Sequence, residues 1–176
     1  QVYAMDLRGH GRSEGLRGHV ESFDYYVEDA AQVLRRWIEE GKAADPDFQC
    51  HVLGHSMWGL IALRLLHRHP ELSVSSASVS APLLGLNVKV PPLKKVAAHV
   101  LDRVWGNLQM NNELDAHWVS HDPRVVETYQ TDRLVHSRVT PRFFMSLQKA
   151  MADTLATHSQ FSCPIQFQIP LADAIV

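Results

Sequence analysis

The apolar positions of this chain change period several times, and each change marks an element. Val2-Tyr3-Ala4-Met5 is a β-like run ending at Asp6, and Leu7 to Gly15 carries too many glycines for helix or strand and reads as a loop. Behind Ser22, a good N-cap, Phe23, Tyr26, Val27, Ala30, Val33, Leu34, Trp37 and Ile38 recur at steps of three and four until Gly41, which predicts an amphipathic helix. Asp45-Pro46-Asp47 turns the chain into an apolar strand, Phe48 to Leu53. A helix from Met57 to about His69 stops at Pro70, and a second strand, Ser73 to Ser80, ends at Ala81-Pro82. This alternation argues for βαβ units and a parallel sheet, with functional groups at the carboxyl ends of its strands.

Past Pro82 the pattern shifts. Leu83 to Pro92 is an apolar connection broken by a proline pair, and helix-like stretches follow near Lys94 to Val104, Asp122 to Tyr129 and Pro141 to Ala156. A segment of this length needs structure of its own, so it reads as a helical insertion. Cys163 to Ile169 restores the strand pattern and delivers Asp173 just beyond its end. The expected organisation is an α/β core over 1–82, a helical cap over 83–162 and a returning core strand with an acid turn over 163–176. Leu83, Leu84, Leu86, Val88 and Val90 either line an apolar channel or pack the insertion onto the core.

The chemistry concentrates at Gly54-His55-Ser56-Met57-Trp58-Gly59, where a strand meets a helix through a sharp turn carrying one serine. A hydroxyl is a weak nucleophile at its free pKa, so it must be lifted from the backbone beside a base and near donors for a developing oxyanion. Gly54 keeps the close approach free of a Cβ, and the amide of Met57, first in the helix, is placed to donate to an oxyanion. The elbow pattern G-x-S-x-G wants glycine two residues after the serine; Trp58 stands there and glycine arrives one residue late, at Gly59. A large side chain at 58 is expected to overpack by about 1–3 kcal/mol or to displace the serine.

Composition narrows the classes. With 176 residues, 45% of them hydrophobic, the chain suits one core built on one sheet. Its 17 basic and 19 acidic residues are interspersed, which leaves no footprint for nucleic acid or a strongly anionic membrane. Cys50 and Cys163 cannot form a disulfide framework and read as buried thiols. The chain begins with Gln1, inside a strand-like run, and ends at Ile175-Val176 after a strand and turn, so it reads as the middle of a larger domain. No run approaches the ~20 apolar residues of a membrane span. Among the 11 histidines, His117 and His121 would share a helix face, but Trp118 occupies the place where a zinc-protease pattern needs glutamate; His67 and His69 would diverge. No metal or cofactor is expected.

With the elbow, the opening loop and the final aspartate placed, the chain resembles the lysophospholipase and monoacylglycerol lipase branch of the α/β-hydrolase superfamily, the serine aminopeptidase S33-like hydrolases. The resemblance rests on Asp6 to Gly15, on Gly54-His55-Ser56-Met57, on Ser120-His121-Asp122-Pro123 with Tyr129-Gln130-Thr131-Asp132, and on Ala172 to Val176. It implies a serine hydrolase that cleaves acyl esters of glycerolipids beneath a helical cap, in the cytoplasm or at a membrane periphery that the cap contacts. Ser56 would be the nucleophile, the Met57 amide one oxyanion donor, and Asp173 the acid that orients the histidine. That histidine would follow Asp173, and the second oxyanion donor would precede Gln1, so the chain as it stands is expected to be nearly inactive. His10 and Arg8 are expected to brace the loop, and His55 to point away from the serine. Carboxylesterases and acyltransferases share the machinery, whereas a dehalogenase or epoxide hydrolase would want aspartate at the elbow. A rival of another class is a non-catalytic hydrolase-like protein in which Trp58 fills the elbow and the cap cleft holds a lipid or a partner.

Overall fold

Strand and helix alternate through the first half of the chain as the periodicity requires. The structure, a computed structural model, describes residues 1–86, 92–112, 114–157 and 161–171. Its elements in chain order are α1 (Asp24–Ala44), β1 (His51–His55), α2 (Met57–Arg68), β2 (Ser76–Ser80), α3 (Pro92–Trp105), β3 (Met110–Asn111), a 3-10 turn (Ala116–Trp118), α4 (Pro123–Thr131), β4 (Arg138–Val139), α5 (Pro141–Ala156) and β5 (Ile165–Gln168). They build two units: the described residues of 24–88 with 149–174, and those of 1–23 with 89–148.

The first of these units holds a parallel sheet of order β1-β2-β5. Its register places Val52 beside Ala77 and Ile165, and Gly54 beside Val79 and Phe167, so those residues share a face. Ala62 and Leu63 of α2 pack with Val79 against Val52, Leu84, Phe161 and Ile165. The opposite face is polar apart from exposed Leu53, with His51 Nδ1 2.8 Å from Ser76 Oγ and Ser78 Oγ donating to Gln166 at 3.2 Å. Helix α1 buries Tyr26, Val27, Ala30, Leu34 and Ile38 of the expected stripe and Ala31 besides, while Val33 and Trp37 are half-buried. Arg64 of α2 fastens three helices. Its guanidinium donates to Asp24 at 2.5 Å, to the Ala150 carbonyl at 3.2 Å and to Thr154 Oγ1 at 3.3 Å. Burial pushes the Asp24 carboxyl up, but hydrogen bonds from Arg64 and Arg68 outweigh it and hold the group below its ordinary value.

In the other unit the opening loop wraps Asp6, which accepts the Arg12 amide at 2.9 Å on its carboxylate and the Ser13 hydroxyl at 2.7 Å on its carbonyl. Gly9, Gly11, Gly15 and Gly18 all take positive φ there. Distant residues hold the loop: the Thr140 amide donates to the Gly18 carbonyl at 3.0 Å, and the His136 imidazole Nε2 donates to the Gly9 carbonyl at 3.0 Å. Thr140 is fully buried. Nearby, β3 and β4 pair antiparallel, Met110 with Val139 and Asn111 with Arg138. Asp122 caps α4 by accepting the Arg124 amide at 2.9 Å, with Pro123 at the first helical position and Asp132 at the far end.

Four expectations change. Val2 to Met5 forms no ladder with any described strand, because alternation makes a run β-like but only a partner edge makes it a strand. Helix α1 runs through Gly41 to Ala44; a Cβ at 41 would strike the Phe48 ring, so this glycine serves packing rather than termination. His117 lies on the 3-10 turn and His121 beyond it, so the two share no helix face. The strands are also shorter than their apolar runs: pairing starts at His51, Ser76 and Ile165.

Candidate active site

β1 ends at His55, α2 begins at Met57, and Ser56 makes the whole turn between them. Its backbone has φ 53 and ψ −120, a conformation suited to glycine that costs a side-chain-bearing residue about 1–3 kcal/mol. An ordinary serine at this place would cap the helix with its hydroxyl. Ser56 makes no side-chain cap hydrogen bond and is half-buried.

Neither elbow glycine takes a left-handed φ; each marks a close approach. A Cβ at Gly54 would lie 2.5 Å from the Trp58 carbonyl oxygen and 2.9 Å from the Gly59 nitrogen. A Cβ at Gly59 would lie 2.8 Å from Pro82 Cα. The main chain at 58 therefore presses on the strand end while the Trp58 ring is half-buried, and Ser56 has its positive φ with that ring present. Met57 opens α2, where first-turn amides lack a carbonyl partner within the helix and the dipole favours negative charge.

The backbone grip on the serine is dense. Its amide donates to the Ser80 carbonyl at 2.9 Å, and its carbonyl accepts the amides of Gly59 at 2.9 Å, Leu60 at 3.2 Å and Leu83 at 3.0 Å. The contribution from Ser80 to Leu83 left no signal in the sequence beyond a strand ending in Ala-Pro.

His55 is exposed at the end of β1. Asp173 and its neighbours Ala172 to Val176 lie outside the described residues, as do Val88 and Val90; Leu83 is buried, and Leu84 and Leu86 are half-buried. In the opening loop His10 Nδ1 donates to the Arg8 carbonyl at 3.1 Å, and its ring lies 4.9 Å from that of His136. Cys50 and Cys163 are buried free thiols, pushed up by burial. Among the described residues no group of three or more His, Cys, Asp or Glu could hold a metal ion.

A sequence profile of the family described as serine aminopeptidase, S33, matches residues 1–176. The chain belongs to that hydrolase family. Within it, this S33 chain falls in the monoacylglycerol lipase and lysophospholipase-like branch of the α/β-hydrolases. It is 37% identical over 142 residues to a monoacylglycerol lipase of Mycolicibacterium smegmatis, covering 80% of this chain and 48% of that protein. It is 28% identical over 160 residues to phospholipase YtpA of Bacillus subtilis, covering 91% and 60%. The crystal structure of the Paleococcus ferrophilus monoacylglycerol lipase superposes with a TM-score of 0.76 at 30% identity, covering 95% of this chain and 61% of that one. This S33 chain thus spans between about half and three-fifths of the length of these relatives.

Proposed function

We propose that the protein is a serine ester hydrolase acting on acyl glycerolipids, of monoacylglycerol lipase or lysophospholipase type, with Ser56 as its nucleophile. The observation that carries this reading is the Ser56 backbone: a serine held at φ 53 between strand and helix, its hydroxyl unused for capping. Family membership and the names of the relatives support the substrate class. Ser56 Oγ adds to the ester carbonyl carbon as its proton passes to a histidine base, and the Met57 amide takes the developing oxyanion. The ester C–O bond then breaks, the alcohol leaves with that proton, and water cleaves the acyl-serine to release the fatty acid and restore the hydroxyl. Asp173 orients the histidine. Peripheral membrane contact by the cap finds support in α3, where Val96, Val100 and Val104 recur every fourth residue and are exposed beside Trp105.

The test is reaction of the intact protein with a fluorophosphonate probe, alongside hydrolysis of monoacylglycerol and lysophospholipid. Labelling at Ser56, with both signals lost by at least about a thousand-fold in Ser56→Ala, is the expected result. A folded protein that neither labels nor turns over ester sinks the reading and favours ligand binding at an elbow occupied by Trp58.

A further inference from the structure

Two non-glycine residues among those described have a left-handed φ, Ser56 at 53 and Ala81 at 41. They sit abreast. His55 and Ser80 are the last paired residues of β1 and β2, so each strained residue comes first beyond its strand on the same carboxyl edge of the sheet. Strain of this kind persists only where the surroundings over-determine it.

The surroundings of Ala81 do so. Its amide donates to the Gln168 carbonyl of β5 at 2.8 Å, and Ala81, Pro82 and Leu83 are all buried, unusual for a chain leaving a sheet. The turn made there lets the Leu83 amide reach the Ser56 carbonyl at 3.0 Å and lays Pro82 against Gly59, while Ser80 accepts the Ser56 amide. Both main-chain groups of the serine are thereby tied to one short segment of the neighbouring strand.

We propose that the Ala81-Pro82-Leu83 turn is the positioning clamp of the nucleophile: it holds the Ser56 backbone in its left-handed conformation, and so sets where the hydroxyl and the Met57 amide meet a substrate carbonyl. The proposal rests on the reading of Ser56 as nucleophile. These residues touch no reacting atom; they act through Ser56.

The experiment compares Ala81→Val, Ala81→Gly and Pro82→Ala in the intact protein, reading the fluorophosphonate labelling rate at Ser56, kcat and KM on a soluble ester, and the melting temperature. Valine cannot adopt φ 41 without strain and glycine can. Ala81→Val is expected to slow labelling and kcat by about ten-fold or more with KM unchanged, and Ala81→Gly to restore both within about two-fold. Pro82→Ala loosens the turn without new bulk, and is expected to lower kcat about three-fold or more at unchanged KM; it decides the matter if Ala81→Val does not fold. Wild-type labelling and kcat in folded Ala81→Val, or in Pro82→Ala where the valine variant fails to fold, overturns the clamp even if melting temperatures fall. Absence of labelling in the wild type fails the nucleophile reading instead.

Discussion

The opening loop and the elbow are both tight, glycine-bearing turns, and they distribute their strain in opposite ways. In the loop the positive φ angles fall on Gly9, Gly11, Gly15 and Gly18, which carry them at no steric cost. At the elbow Gly54 and Gly59 provide clearance only, and the positive φ falls on Ser56. A turn built for shape alone places glycine where the backbone needs it. Where a side chain occupies that place at a cost, either the side chain has a use, as proposed for Ser56, or the surrounding contacts hold the backbone there, as at Ala81.

Ser56→Gly breaks this comparison most directly. Glycine accepts the elbow conformation freely, so the variant is expected to melt at or above the wild-type temperature, a gain of up to ~1 kcal/mol, while labelling and ester turnover fall by at least about a thousand-fold. A clear loss of stability would show that the serine is not strained in the fold. In the loop the opposite substitution is informative. A Cβ at Gly18, at φ 66, would run into the Arg138 carbonyl oxygen, so Gly18→Ala is expected to cost about 3 kcal/mol or more in chemical denaturation. A cost under about 1 kcal/mol would mean that the loop and the segment at 138 are not locked together.

The smallest expected effect concerns pH. Burial lowers the His10 imidazole below 6.5; its hydrogen bond to the Arg8 carbonyl offsets part of this, the charges of His136 and Arg17 lower it further, and Asp6 raises it. The folded loop thus prefers neutral His10. As pH falls below about 6.5 the unfolded chain takes up the proton first, and stability is lost as pH drops through the lower folded value. Melting followed between about pH 7.5 and about pH 5 is expected to fall by a few degrees, with a shallower slope in His10→Gln. An unchanged slope in that variant would remove His10 as a source of the dependence.

Much of this was legible along the chain because its causes are local. Helix α5 covers Pro141–Ala156, the span its apolar period and opening proline predict, and the Asp122-Pro123 start of α4 is a cap and first-turn pair readable from two residues. The elbow could be read from six contiguous residues for the same reason. The β3–β4 pair could not, since two-residue strands carry no alternation and their partners lie almost thirty positions apart.

By itself, then, the sequence determined which residues turn, which spans are helical, and which serine sits at a strand-to-helix elbow, because these follow from steric and periodic rules within a few residues. Only the tertiary structure decided that Gly41 packs Phe48 instead of ending its helix, that buried Thr140 ties down Gly18, and that Ala81 to Leu83 grip Ser56. Those outcomes depend on which distant backbone groups meet, and a main-chain hydrogen bond carries no signature in the identity of the residue that makes it.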